Sequence, residues 1–472
     1  MVSKKRKLSY ICIGYFIIAC LFYFIAGEEI KYKKNVITSV NSVNSTVEVS
    51  KELKICQEIF IKEQNIEKIV LDFNTFYREN SGIIDIKLLD KETGDILSQT
   101  QEDVSLFKED LSYEWILNDI KEELKGKEVI LQITSNSEVG EGIGILLGTS
   151  DNSAIKELHL NGKTVNEAVS CKIQESTDSL FGKYYFIWVV ILMSVIVIYT
   201  IIANKREKKG KITVQLKIKS IWTRYRYLIY QLVTRDFKTK YKRSMLGYLW
   251  SFLNPLLSML VQYVVFSTLF RSDIENFPVY LLSGIILFNF FSDAVGQGLG
   301  AIVQNASLIT KVYVPKYIYP VTKVISCSVN LIISVLPLFI VMFLTGQNFT
   351  KAVFLLPFPL ICLLIFCIGL SLLLCSAMVF FRDTQYLWGI ISLAWTYATP
   401  IFYPAEIIPP QFAFIQKLNP MFHYIRFTRT LLLDGVSPSA IEYFYCLLFA
   451  IVALGLGCFV FKKTQDKFIL YI

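Results

Sequence analysis

The chain has 472 residues, 53% of them hydrophobic, with a mean hydropathy of +0.47 and a formal net charge of +9, which excludes an ordinary soluble domain and predicts several membrane-spanning helices. The charge is unevenly laid out: residues 27–183 carry 18 Lys/Arg against 29 Asp/Glu, and the rest of the chain carries 30 against 10. The basic excess thus flanks apolar runs, where it reads as membrane topology and lipid contact and not as nucleic-acid binding.

In chain order, the basic stretch KKRK at 4–7 precedes an apolar run, 10–26. No A-x-A-like cleavage site follows, so the run is read as a retained first span and not as a signal peptide. A second uncharged run, 184–203, is followed at once by NKREKKGK. Basic clusters on the same side of both runs predict cytoplasmic ends and an extracytoplasmic segment, 27–183. Within it, runs 68–73, 83–89, 128–134 and 142–147 read as strands, and 158–165 as a hairpin around Asn161-Gly162. These predict an inserted β-sandwich, jelly-roll-like in shape, with a loose similarity to the carbohydrate-binding-like sandwiches of bacterial envelope proteins. Phe76, Tyr77, Tyr113 and Trp115 are its candidate sugar platforms, against the commoner fate of sandwich aromatics, which is core packing. Eight of ten cysteines lie in apolar runs; Cys56 and Cys171 alone lie in the polar segment, near its two ends, and a disulfide between them is an expectation if the segment is exported. There is no CxxC or HExxH pattern and there are only two histidines, so no metal site is expected.

Residues 221–240 place Tyr225, Leu228, Ile229, Leu232, Val233 and Phe237 at helical spacing, with Arg224, Arg226, Arg235, Lys238 and Lys240 between them. This is the pattern of a helix lying in a membrane interface with its cations reaching water. It runs without a linker into an apolar span. Spans are predicted at 246–270, 278–303, 319–344, 352–381, 385–403 and 441–461, which with the first two makes eight transmembrane helices and puts both termini in the cytoplasm. Lys311, Lys316 and Lys323 then share one cytoplasmic loop, as the positive-inside rule requires. The stretch 403–433 is rich in Pro and aromatics, too broken for a span, and reads as a re-entrant pair of short helices. Asp293 falls inside a span, where an ionisable group needs a partner or water. No GxxxxGK[ST] and no GxSxG motif occurs, so neither a nucleotide site nor a catalytic centre is expected.

Arg235-Asp236, Tyr241-Lys242, Ser244, Leu246-Gly247, Leu249-Trp250 and Asn254-Pro255-Leu256 resemble the start of ABC transporter permeases of the polysaccharide-export class. NASLITKVYVP at 305–315 is similar to that family's loop between its second and third spans, and Asn419-Pro420, preceded by Ala398-Thr399-Pro400-Ile401, to a third motif. The resemblance covers about residues 221–472; most members lack a long N-terminal addition. It implies a homodimer docked on two ABC ATPase subunits that hold ATP and Mg, with no cofactor on this chain, exporting a lipid-linked glycan such as O-antigen, capsule or teichoic acid. It assigns ATPase coupling to Asn305, Leu308, Lys311, Val312, Tyr313, Pro315 and Lys316. Headgroup attraction falls to Arg235, Lys238, Lys240, Lys242 and Arg243, with Asp236 in the same interfacial segment, unless that helix merely anchors. The channel candidates are Tyr263, Phe288, Phe291, Trp395 and Tyr397, as stacking faces for sugars, together with Asp293; each aromatic has lipid-facing or core packing as its alternative. An exporter of a drug or lipid, or a membrane-anchored glycan-binding receptor, are the rival readings.

Overall fold

The computed structural model describes residues 2–40, 42–63, 65–107, 112–117, 124–150, 152–209, 213–241, 247, 249–270, 276–311 and 314–471. The chain forms two compact units, Lys31–Tyr184 and the remainder.

Helix α1 (Val2–Lys31) precedes the acidic unit in the chain. That unit holds β1 (Tyr32–Thr38), β2 (Ser42–Glu48), β3 (Ile55–Phe60), β4 (Asn65–Asn74), β5 (Ile83–Asp90), β6 (Ile96–Asp103), β7 (Ser112–Ile116), β8 (Glu128–Ser135), β9 (Gly144–Thr149), β10 (Ile155–Leu160), β11 (Lys163–Val165), β12 (Ala168–Val169), β13 (Cys171–Asp178) and the single turn α2 (Leu180–Lys183). All pairing is antiparallel. One sheet runs β11-β10-β3-β8-β5-β6; the other runs β1-β13-β4-β9-β12, with β2 on β9 and β7 on β4. Period-two alternation sends Ile55, Ile59, Ile84, Ile86, Leu131 and Ile133 of the first sheet into one core with Ile69, Leu71, Ile145 and Ile173 of the second. Each such side chain contributes roughly 1.5–3 kcal/mol by leaving water. The predicted hairpin is present: Asn161 (φ 49) and Gly162 (φ 79) take the left-handed conformations that a two-residue turn between β10 and β11 demands.

Two expectations for this unit are corrected by the same alternation. Cys171 is buried between the sheets, whereas Cys56 sits between Ile55 and Gln57 on the outward face of β3. The two strands belong to different sheets and both thiols are free. Trp115 is 5% exposed and packs in the core, so it offers no platform. Tyr113 is half-buried and its hydroxyl donates to Glu102 Oε1 at 2.8 Å.

The second unit is helical: α3 (Tyr185–Lys208), α4 (Val214–Tyr241), α5 (Leu249–Phe270), α6 (Phe277–Leu299), α7 (Ala301–Gln304), α8 (Ala306–Lys311), α9 (Ile318–Leu344), α10 (Pro357–Phe380), α11 (Thr384–Ala398), α12 (Ala413–Leu418), α13 (Pro420–Arg429), α14 (Ala440–Thr464) and α15 (Phe468–Tyr471). Among the described residues, six helices are long and apolar enough to cross a membrane, against eight predicted spans. The apolar part of α1, Cys12–Gly27, falls short of that length. So does α11 with 15 residues, about 22 Å against a hydrocarbon core of about 30 Å. The bundle core centres on α6 and takes in Ala26 and Ile30 of α1. Helices α10 and α14 touch backbone to backbone, because a Cβ at Gly369 would fall on the main chain of Ala453 and Leu454. The broken stretch after α11 does form two short helices, α12 and α13. Asn419 starts the second: its Oδ1 accepts from Met421 N at 3.0 Å and Trp395 Nε1 at 2.7 Å, its Nδ2 donates to Thr399 Oγ1 at 2.8 Å, and Pro420 occupies the first turn, where no N–H is needed.

Candidate functional site

Three regions of the helical unit gather polar groups. The first is at the α8 end. Asp236, near the end of α4, lies 3.0 Å from Lys323 Nζ of α9 and 2.9 Å from Arg235 Nη2; the lysine contact is an ion pair off the axis of a hydrogen bond. Arg235 also reaches Asn305 Oδ1 at 3.4 Å, and Asn305 Nδ2 donates to Ala301 O at 2.8 Å, closing the turn before α8. Beneath this polar knot lies an apolar cluster in which Leu232 of α4, Ile302 and Ile309 beside and within α8, Ile318 and Tyr319 of α9, and Phe461 and Phe468 at the C-terminus pack together. Leu308 is half-buried against it. The exposed face of α8 is Ser307, Thr310 and Lys311. Lys316 does not join that face: its Nζ donates to Gln465 O at 2.6 Å and lies over the Phe468 ring. Pro315 is half-buried beside it, and Lys238 is exposed on α4. Val312, Tyr313, Lys242 and Arg243, and the side chain of Lys240, lie outside the described residues.

The second region is a groove beside α6. From Leu281 to Gly300 this helix is buried except at Asn289 and Asp293, which are exposed, and at Ser292, Gly296 and Gln297, which are half-exposed. Asn289 and Asp293 line a cavity of about 280 Å³ with Ser251 and Asn254 of α5 and Asn330 and Ser334 of α9. A neighbouring cavity of about 270 Å³ shares Asn330 and continues to Gln297, Lys323 and Asp236, which belong to the first region. Ser251 Oγ donates to Asn330 Oδ1 at 3.1 Å, and Ser334 Oγ to Ser251 O at 3.1 Å. An apolar helix whose exposed residues are an amide and a carboxylate does not favour lipid on that face, where the carboxylate alone costs about 2.5–3.5 kcal/mol or more.

The aromatic channel candidates divide differently. Phe288 and Phe291 are buried in the bundle core, and Phe291 meets the Trp395 ring at 5.0 Å. Trp395 is held by its bond to Asn419. Tyr263 is half-buried against Phe277, and Tyr397 is exposed on α11. Of the six channel candidates, Asp293 alone lies in the groove. The groove amides Asn289, Gln297 and Asn330 were missed, although 289, 293 and 297 recur every four residues along one helix face, and Asn254 was read only as part of a motif and not as a groove residue.

The third region is a cavity of about 810 Å³ at the opposite end, lined by Asn276 just before α6, Tyr280 of α6, Gln347, and Arg426 and Arg429 of α13. Arg429 is buried, lies 3.3 Å from the centre of the Tyr280 ring and donates to the carbonyls of Pro400 (2.7 Å) and Ile401 (3.0 Å).

Residues 227–433 match the profile of the ABC-2 type transporter family. The O-antigen export system permease protein RfbA of Myxococcus xanthus is 33% identical over 247 residues, 52% of this chain and 95% of that protein. The chain belongs to the ABC-2 type transporter family. Other relatives of this ABC-2 permease are the polysialic acid transport protein KpsM of Escherichia coli, 25% identical over 50% of this chain and 92% of that one. The capsule polysaccharide export inner-membrane protein CtrC of Neisseria meningitidis serogroup A is 24% identical over 48% and 86%. The matched residues run from α4 to the turn after α13 and so contain the groove, the third cavity and the first region apart from its C-terminal partners Phe461, Gln465 and Phe468; the sandwich unit lies outside them. Among solved structures, the infectious bursal disease virus VP2 subviral particle aligns over 31% of this chain and 33% of that one at 11% identity, with a TM-score of 0.19, which carries no argument.

Proposed function

We propose that this ABC-2 permease is the membrane subunit of an ATP-driven exporter that moves a lipid-linked polysaccharide or teichoic-acid-like polymer across the cytoplasmic membrane. It works as a homodimer on two ABC ATPase subunits, which supply the ATP and Mg chemistry. The observation that carries the reading is the polar groove: membrane-length helices expose amides and a carboxylate along one face, and the buried hydroxyls of Ser251 and Ser334 line the same cavity. A second copy covering that face would enclose a path rather than leave polar groups in lipid. Amide and hydroxyl groups suit a glycan, because each gives a sugar hydroxyl a modest hydrogen bond that is easily exchanged for the next. The relatives named for O-antigen, polysialic acid and capsule export favour that cargo class over a drug or a small lipid.

In this reading α8 is the coupling element, presenting Ser307, Thr310 and Lys311 to the ATPase on the cytoplasmic side, and the cations of α4 attract the anionic headgroup of the carrier lipid. Helices α12 and α13 form the re-entrant pair at the exit. The sandwich unit is extracytoplasmic; its strands β2 to β9 pair in the order of a jelly roll, β2-β9-β4-β7 over β3-β8-β5-β6. The test is Lys311→Glu combined with Thr310→Glu in the full exporter. The expected result is wild-type protein level, loss of co-purifying ATPase and loss of surface polymer. Retained export with both changes in place would overturn the coupling assignment, and unaltered surface polymer on deleting the chain would overturn the function.

A further inference from the structure

We infer that the loop between β4 and β5 is a sugar-stacking site at the end of the sandwich opposite Lys31 and Asp178, with Tyr77 as its platform; the inference rests on the glycan-export reading above. The backbone is the starting point. Among the described residues, four non-glycine positions have positive φ. Two are asparagines, Asn161 and Asn276, a residue type that tolerates the left-handed region. The other two are consecutive aromatics, Phe76 (φ 55) and Tyr77 (φ 56), for which it is strained. Glycine would occupy these positions without strain. Strain of this kind persists only where the surroundings over-determine it, and it collects at ligand-holding sites.

The surroundings here are a pedestal. Asn74 Oδ1 accepts from Phe76 N at 2.7 Å. Thr75 O accepts from Arg78 N at 3.2 Å and from the buried Asn80 Nδ2 at 3.1 Å. The Arg78 guanidinium covers the Phe76 ring at 5.0 Å, donates to Gly142 O at 3.0 Å and pairs with Glu48. Glu48 Oε1 accepts from Gly140 N and Gly142 N, at 2.9 Å each. Phe76 rests on Gly144, where a Cβ would come within 2.7 Å of its ring. Phe76 is therefore a wedge between β9 and Arg78, and the next side chain, Tyr77, is thrown outward, 88% exposed. The neighbouring loops are tied in by Ser81 N to Glu141 O (3.0 Å) and Lys51 N to Ser137 O (2.9 Å).

The location fits a contact with something outside the chain. β1 pairs with β13 from Tyr32↔Asp178, and Cys171 at the other end of β13 pairs with Leu71. β4 continues past that point to Asn74, so the loop lies at the end of the unit opposite Lys31 and Asp178, near which the chain enters and leaves. The occupant follows from the chemistry. A rigid, exposed phenol face matches the C–H face of a pyranose ring. The exposed residues beside it, Arg78, Glu79 and Glu141, offer donors and acceptors to hydroxyls and disfavour an apolar protein or lipid surface. The exported polymer and resident envelope glycan share this pyranose chemistry.

The experiment places a photoreactive benzophenone amino acid at position 77 of the full-length exporter in cells that make the polymer, with Ile116, exposed on β7, as the control position. The expected result is a carbohydrate-bearing adduct at 77 and none at 116. Loss of that adduct when polymer synthesis is shut off identifies the exported chain, and its persistence identifies resident glycan. A protein-only adduct, or none while polymer still reaches the surface, overturns the site without touching the export reading; polymer that reaches the surface without this chain overturns the export reading itself. Should the benzophenone variant fail to fold, purified full-length Tyr77→Trp is expected to retain binding to polymer released from the same cells, while Tyr77→Ala loses about tenfold in affinity. Equal affinity of Tyr77→Ala and the parent overturns the proposal.

Discussion

Neutralising Asp236 tests whether the α8 end of the permease is held by a buried ion pair or by an incidental surface contact. The Asp236 side chain is 10% exposed and Lys323 15%, with 3.0 Å between their charged atoms. At that distance the attraction is about 5 kcal/mol with an effective dielectric of ~20. Most of it offsets the desolvation of both groups, so the pair itself contributes little. Removing one member is different, because it leaves the other charge buried and uncompensated, at about 3–5 kcal/mol. Asp236→Asn is therefore expected to destabilise the protein by about 3 kcal/mol or more, because Lys323 and the half-exposed Arg235 lose the same partner. Lys323→Met is expected to cost less, because Asp236 keeps its pair with Arg235. The double variant should cost less than the sum of the singles by about 1–3 kcal/mol. The assay is a double-mutant cycle on reversible unfolding in mixed detergent micelles, run beside surface-polymer measurements. Strictly additive costs, or an Asp236→Asn variant within about 0.5 kcal/mol of the parent, would refute the buried-pair argument and assign the contact to a solvated surface.

Asn289→Leu and Asp293→Leu should leave protein level unchanged and lower export about tenfold each, because the groove loses a hydrogen-bonding group that no other side chain replaces; unchanged export would mean that this face of α6 meets lipid. Gly369→Val should destabilise the bundle by about 1–3 kcal/mol or more in the same micelle assay, since the new side chain meets the main chain of α14; parent-like stability would refute the close approach. Burial pushes the Cys171 thiol up to about 11, so in the folded protein at pH 8 it should resist maleimide, and reducing agent should leave the unfolding of the sandwich unit unchanged. Mass analysis that finds Cys56 joined to Cys171 would contradict the parity of the strands.

What the sequence made legible were features that short-range physics determines. The Asn161-Gly162 turn needs two left-handed residues in a row and received them. The Asn419-Pro420 pair is a helix cap with a proline where no N–H is needed. What it hid depended on which face a residue takes or on partners distant in the chain. Cys56 and Cys171 stand near the two ends of the acidic segment, but a disulfide requires them to share a face, and one residue of strand parity separates the inside of a sheet from the outside. The aromatics of the spans were ambiguous because Phe291 in a core and Phe291 in a channel have the same spacing. Asn289, Asp293 and Gln297 were not ambiguous in that way: a polar residue every fourth position of an apolar helix has one face to occupy. The ties of Lys316 to Gln465 and of Asp236 to Lys323 bridge distant parts of the chain and leave no local mark.

The groove and the α8 surface are one mechanical object, and Asp236 is the reason. It sits in the wall of the second groove cavity with Gln297 and Asn330, and its neighbour Arg235 reaches Asn305 at the root of α8. Lys323, its partner, is seven residues before Asn330 and eleven before Ser334, which places all three on one face of α9. A displacement of α8 that pulls on Asn305 therefore acts on α4 through Arg235, and on the groove wall through Asp236 and Lys323, within a few ångströms and without an intervening loop. The apolar cluster beneath, from Leu232 to Phe468, packs Ile309 of α8 together with side chains of α4, α9 and the C-terminal helices. Packed interiors shift as units rather than deform continuously. The same stroke that repositions α8 on an ATPase would thus change the width of the groove, and a variant that breaks Asp236–Lys323 should uncouple ATP hydrolysis from polymer movement even where the ATPase stays bound. Hydrolysis that remains fully stimulated by polymer in that variant would separate the two regions again.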